Sequence, residues 1–159
     1  MYKLFKMNRK KPKFWIKAKQ ELKKKDKKLG KIVDDYPHDF LFSKSDPFLT
    51  LARSIVGQQI SVKAAQSVWD RLESKLGKIN PKIIKSKNRN TLKSIGLSRQ
   101  KVEYLKNLAE AFLNKRIKVN QWNKLSDEEI IQDLIQIKGI GRWTAEMFLI
   151  FNLCRSDIF

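Results

Sequence analysis

Cysteine is nearly absent: Cys154 stands alone among 159 residues. A lone thiol excludes an internal disulfide framework and any all-cysteine metal or iron–sulfur site within the chain. Apolar runs are short, and none approaches the roughly 18 residues that a membrane span needs. The first twenty residues are basic but lack the continuous apolar stretch of a signal peptide. Acidic residues are scarce too, 16 Asp plus Glu against 35 Lys plus Arg. Strand-like alternation of apolar and polar residues is missing throughout. These absences lead to the expectation of a soluble protein of a reducing compartment, cytoplasmic and nucleoid-associated if its source is prokaryotic.

What is present is a core and a large positive charge. Apolar residues make up 42%, and 9 Phe, 4 Trp and 3 Tyr supply the bulk for a packed interior, too much for a disordered basic tail. The formal net charge is +19. It is uneven: residues 1–31 hold 14 Lys/Arg and only Glu21 and Asp26, while Lys75 to Lys118 hold 13 against Glu103 and Glu110. A positive surface of this size attracts a polyanion through counterion release, with salt-sensitive affinity. Solvated lysines without function are the alternative that charge alone leaves open. The composition divides the chain into a basic N-terminal arm and first helix, residues 1–31, and a helical core, residues 32–159.

The periodicity predicts an all-α fold. Asp46-Pro47 reads as a helix start, with Phe48, Leu51, Ala52, Ile55 and Val56 on one face until Gly57-Gln58-Gln59-Ile60 interrupts. Ser61 caps a second helix with Ala65, Val68, Trp69, Leu72 and Leu76 inward, ending near Gly77. Short helices are predicted over 81–85 and 91–95. Ser98 opens a long one with Val102, Leu105, Ala109, Phe112 and Leu113 inward. Upstream, 14–24 and 28–36 fit two further helices.

The stretch from Ser126 to Leu153 is the most informative. Ser126-Asp127-Glu128-Glu129 has the spacing of a capping box ahead of Ile130, Ile131, Leu134 and Ile135. A second helix is predicted from about Arg142 to Leu153. Between them, Ile137-Lys138-Gly139-Ile140-Gly141-Arg142 is long enough only to reverse the chain. Two glycines one residue apart permit positive φ and expose backbone amides at a helix start, which with the helix dipole suit a phosphate. Thr144 adds a hydroxyl, Lys138 and Arg142 add charge, and Ile140 anchors the turn in the core. A plain helix–turn–helix linker with glycine caps fits the same residues.

The run Ile137 to Phe148 resembles the helix-hairpin-helix of base-excision DNA glycosylases, in particular the DNA-3-methyladenine glycosylase II branch. Two further blocks resemble the same family in the same order: Asp46-Pro47-Phe48 through Gly57-Gln58-Gln59-Ile60-Ser61-Val62-Lys63-Ala64-Ala65, and Gly96-Leu97-Ser98-Arg99-Gln100-Lys101. The resemblance runs from about Phe14 onward. It implies the helical DNA glycosylase fold and an enzyme that extrudes a damaged base from double-stranded DNA and hydrolyses its N-glycosidic bond. It places Gln59 as the wedge filling the vacated stack and Gln58 in the base pocket, with loop capping as the other reading of this pair. It assigns phosphate contacts to the amides of Gly139 and Gly141 and to Thr144. It implies a monovalent cation (Na or K) on the main-chain carbonyls of Ile135, Ile137 and Ile140, with no other cofactor required.

Trp143 occupies the position where strand-cutting relatives carry a lysine. An indole forms no imine, so the resemblance implies a monofunctional hydrolase without lyase activity. Trp143 is then expected to stack on the flipped base, with a core tryptophan as the alternative. Bases alkylated at N3 or N7, such as 3-methyladenine and 7-methylguanine, are cationic, and cation–π attraction to an indole is worth about 0.5–2 kcal/mol.

The family's catalytic aspartate is expected about four residues beyond Phe159, so the fold is expected to be C-terminally incomplete. Asp157 lies too early to match it, and Glu146 sits on the second hairpin helix. DNA binding with little turnover follows as the expectation for these 159 residues, with exposed apolar surface around Phe148, Phe151 and Phe159, and a monomer once complete. Two other classes remain open: a non-enzymatic helix-hairpin-helix DNA-binding module, which leaves the Gly57–Ala65 block and Trp143 without a role, and a basic RNA-associated protein.

Overall fold

The computed structural model describes residues 12–44 and 46–158, and among these every regular element is helical. The chain packs as two units, Asp46–Phe148 and the residues flanking it on either side.

In the larger unit, seven helices follow one another: α3 (Pro47–Gly57), α4 (Val62–Leu76), α5 (Pro81–Ser86), α6 (Arg89–Lys93), α7 (Arg99–Leu113), α8 (Asp127–Ile135) and α9 (Arg142–Phe148). Polar side chains start them where the sequence predicts. Asp46 accepts from the amide of Leu49, with Pro47 in the first turn. Ser61 accepts from Ala64 and Ser98 from Lys101. Ser126 and Glu129 form the reciprocal capping box. Each cap satisfies an amide that has no partner within its helix, worth about 1 kcal/mol.

α3 and α7 lie at the centre of this unit. Leu51, Ala52 and Ile55 on α3 and Val102, Leu105, Leu108 and Ala109 on α7 have no exposed surface. Phe48 meets Phe112 edge-on at 5.3 Å, and Trp122 meets Phe148 at 5.2 Å. Burying each such large side chain contributes about 1.5–3 kcal/mol before entropy is counted. Buried Asp133 on α8 accepts from the indole of Trp122 and the amide of Lys118, each at 2.7 Å, tying the 118–122 segment to the helix. Phe148 is therefore core and not the exposed surface that the sequence suggested. Leu113, predicted inward, is 37% exposed because it sits in the last turn of α7.

In the flanking unit, α1 (Trp15–Lys25) and α2 (Lys27–Asp35) form a helical hairpin. Asp26 caps α2 by accepting from the amides of Lys28 and Leu29. Lys23 pairs with Asp34 across the hairpin. The compositional boundary at residue 31 falls inside α2. The helix predicted to run to Leu153 is α-helical only through Phe148; residues Leu149–Leu153 form a π-helical turn, and the amide of Arg155 bonds the carbonyl of Leu149. Among the described residues, no helix is long and apolar enough to cross a membrane.

Candidate nucleic-acid interface

The turn between α8 and α9 reverses the chain through a short ladder. The amide of Ile137 donates to Leu134 at 3.0 Å and that of Ile140 to Ile137 at 2.9 Å, while Ile137 and Ile140 are buried. Gly139 has φ +104°, where only glycine sits without strain. Gly141 has no positive φ, contrary to the equivalence of the two glycines that their spacing suggested. Beyond its own chain neighbours, nothing lies within 4 Å of where its Cβ would be, so the space beside it is open.

A cavity of about 530 Å³ opens beside this turn. The hairpin contributes Gly139, Ile140, Gly141, Trp143 and Thr144, the loop after α3 contributes Gln58 and Gln59, and the first turns of α7 contribute Ser98, Gln100, Lys101 and Tyr104. Trp143 is 67% exposed, which removes the core reading of this residue. Thr144 is buried at the cavity wall. Gln59 is exposed with φ +57°, a left-handed conformation costing a non-glycine residue about 1–2 kcal/mol. Gln58 ends α3, and its Nε2 donates to the carbonyl of Gly139 at 2.9 Å. The loop and the hairpin, 81 residues apart in sequence, thus meet through a direct hydrogen bond.

Several charged groups around the turn are paired. Arg142, expected to add charge at the turn, donates from Nη1 and Nη2 to Glu128 at 3.1 and 2.8 Å and from Nε to Glu146 at 3.0 Å. These bonds hold the Glu128 carboxyl below its ordinary pKa and raise that of the guanidinium. Lys138 is exposed outside the cavity lining, where it joins Arg99 as a lesser influence behind Arg89 in lowering the pKa of Glu103. Ile135, at the end of α8, is 37% exposed. Among the described residues lining the cavity, none is a carboxylate.

Three of the lining residues had no assigned role from sequence: Gln100 and Lys101 belong to a block that carried only resemblance, and Tyr104 was not singled out; Ser98 was read only as a helix cap. The available signal was helical: positions 100, 101 and 104 share one face of α7, while 102, 105, 108 and 109 occupy the buried one.

Residues 52–146 match the family model described as "HhH-GPD superfamily base excision DNA repair protein". DNA-3-methyladenine glycosylase 1 of Schizosaccharomyces pombe is 38% identical over 136 residues, covering 83% of this chain and 60% of that protein. DNA-3-methyladenine glycosylase of Saccharomyces cerevisiae is 40% identical over 124 residues, 72% of this chain and 42% of that protein. The chain therefore spans about half the length of these relatives. The solved structure of the S. pombe 3-methyladenine DNA glycosylase in complex with abasic DNA superimposes with a TM-score of 0.76 at 34% identity, covering 90% of this chain and 73% of that one. A DNA-3-methyladenine glycosidase from Bacillus halodurans gives 0.70 at 35% identity, covering 74% and 55%. With the hairpin, the Gln58–Gln59 loop and the exposed indole gathered on one cavity, the chain belongs to the HhH-GPD superfamily of base excision DNA repair proteins.

Proposed function

We propose that these residues form the DNA-gripping and base-extruding core of a monofunctional DNA glycosylase acting on alkylated purines. The observation that carries the reading is that Gly139, Gly141, Trp143, Thr144 and Gln59 all face one cavity. Extrusion of a base requires a grip on the strand and a group to fill the gap at the same place, and costs a few kcal/mol. The amide at Gly141, with open space beside it, and the Thr144 wall supply the grip. Gln59, exposed at the tip of its loop, supplies the filler. Trp143 offers an indole face to the extruded base, and a cationic alkylpurine gains most from it.

The same geometry argues against the non-enzymatic alternative, which requires neither an exposed indole nor a left-handed loop residue at the hairpin. Strand cutting by imine chemistry is disfavoured as well: the amine lining the cavity is that of Lys101, whose Nζ donates to the carbonyl of Val56 at 2.7 Å. A monovalent cation on the carbonyls of Ile135, Ile137 and Ile140 is part of the proposal. Carbonyl oxygens are hard ligands suited to such an ion, and the Ile140–Ile137 hydrogen bond already fixes the turn that presents them. A charge there would strengthen the pull of the hairpin amides on a phosphate.

Hydrolysis also needs a carboxylate to stabilise the developing oxocarbenium charge, and the described residues lining the cavity include none. Binding and extrusion are thus the steps these residues carry, with slow base release by the chain alone. The test compares binding to a duplex with a tetrahydrofuran abasic site and to the same duplex intact, alongside release of methylated purines. A preference for the abasic duplex supports the reading. Equal binding to both duplexes would favour the plain DNA-binding module, and turnover lost on Asp157→Ala would show that Asp157 is the missing carboxylate.

A further inference from the structure

The Gln58–Gln59 loop needs support because its conformation is locally unfavourable. Gln59 is left-handed, and α3 ends just before it with carbonyls that have no partner inside the helix. One of these, Val56, accepts from the Nζ of Lys101, which reaches across from the first turns of α7. An ammonium at a helix C-terminus is favoured by the helix dipole as well as by the hydrogen bond. Partial burial pushes the pKa of this lysine below its ordinary value.

The same turns of α7 support the hairpin. The ring of Tyr104 lies directly against Gly139, whose Cβ, were there one, would sit 2.2 Å from Tyr104 Cγ. Tyr104 is held in turn by Gln100, whose Nε2 donates to the phenol at 2.6 Å. Gln58 completes the circuit by bonding the Gly139 carbonyl. Loop and hairpin are therefore each braced on α7 and tied to each other.

We infer that Lys101 is a positioning residue for base extrusion, fixing the Gln59 loop at the spacing from the hairpin at which wedge and phosphate grip act on one strand. The inference rests on the proposed function and adds to it a role for a cavity-lining lysine whose Nζ is spent on the loop rather than aimed at a ligand. A misplaced wedge costs the energy of gap filling but leaves the sequence-independent attraction of the basic surface intact. Lys101 thus governs discrimination between an abasic and an intact duplex, not affinity for duplex as such.

The test is Lys101→Met, which keeps the stem and removes the donors. The ratio of affinities for abasic over intact duplex is expected to fall about tenfold, the factor for one lost bond to a charged group. Affinity for intact duplex should stay within about twofold, allowing for one lost surface charge. Lys101→Arg, which retains a charged donor of similar reach, should keep the ratio within about threefold, and it carries the test if the methionine variant is unfolded at the assay temperature. An unchanged ratio in Lys101→Met overturns the inference, as does a ratio lost in a folded Lys101→Arg. If the unsubstituted chain itself shows no preference, the proposed function fails first and the inference falls with it, a result distinct from either variant outcome.

Discussion

The aromatic ring of Tyr104 occupies the space in which any side chain on Gly139 would have to sit, 2.2 Å from the ideal Cβ position to Cγ and 2.6 Å to the Tyr104 Cβ. A rotamer change can swing the ring aside, but the Tyr104 Cβ is fixed by the α7 backbone and stays in the way. Gly139→Ala therefore meets two penalties, this collision and φ +104°. The backbone strain alone costs about 1–3 kcal/mol. Urea unfolding should show at least that loss, and adding Tyr104→Ala should recover only the part due to the ring, because the Cβ at 2.6 Å remains. A Gly139→Ala protein as stable as its parent would mean that the turn is wrongly described.

Gly141 behaves in the opposite way. Its φ is not positive and nothing lies within 4 Å of its Cβ position, so Gly141→Ala should unfold at nearly the parental denaturant concentration. The added methyl group would instead stand where a phosphate approaches the amides. A hydrogen bond to a charged group is worth about 1.5–3 kcal/mol, so duplex affinity should fall about tenfold or more. Fluorescence anisotropy with a labelled duplex measures it; undiminished binding would remove Gly141 from the grip.

The difference between these two glycines marks how far sequence reading reaches. Helix starts at Asp46, Ser61, Ser98 and Ser126 were legible because each cap is a local hydrogen bond written into a few adjacent residues. The hairpin was legible for the same reason. The contact between Gly139 and Tyr104 spans 35 residues of sequence and leaves no local signature, so the reason for glycine there could not be read. Arg142 illustrates a second limit. Its charge is visible in sequence, but the acceptor that claims it, Glu128, is 14 residues away on the facing helix. The π-helical turn after Phe148 continues an apolar pattern that helical periodicity alone extends unbroken to Leu153.

Trp143 projects 67% of its surface from the hairpin, so little of the fold depends on it. Trp143→Ala should leave the thermal midpoint close to the parental value. Base–aromatic stacking is worth about 1–3 kcal/mol, so the preference for duplexes containing 7-methylguanine over unmodified ones should drop about fivefold or more. Competition binding with the two duplexes reads this preference. A large loss of thermal stability with unchanged preference would return Trp143 to a packing role.

Lys138 and Arg142 flank the same turn but differ in what holds them. Arg142 makes bonds to Glu128 and Glu146, whereas Lys138 is exposed. A residue that neutralises one phosphate contributes about 0.9 to the slope of log affinity against log salt concentration. Lys138→Ala is expected to lower that slope by about this amount. Arg142→Ala should change it far less while reducing thermal stability. Equal slope changes would show that the guanidinium leaves its carboxylates when DNA binds.

The Arg142–Glu128 pair also sets a pH dependence. The bonds from Arg142 hold the Glu128 carboxyl below its ordinary pKa in the folded state. The unfolded state consequently takes up a proton first as pH falls, starting near the free glutamate value of about 4.3. The stabilisation is complete above that value and is lost as pH drops through the lower folded value. Comparing the parent with Glu128→Gln isolates this group from the other carboxylates common to both. Their thermal midpoints should differ by a constant small margin, no more than a few degrees for so exposed a pair, from neutral pH down to about 5. The margin should then narrow as pH falls through the lowered folded value, where the parental carboxyl itself takes up a proton. A margin that keeps the same size across the whole acid range would show that the ionised carboxylate contributes nothing and that packing of the side chain holds α8 to α9.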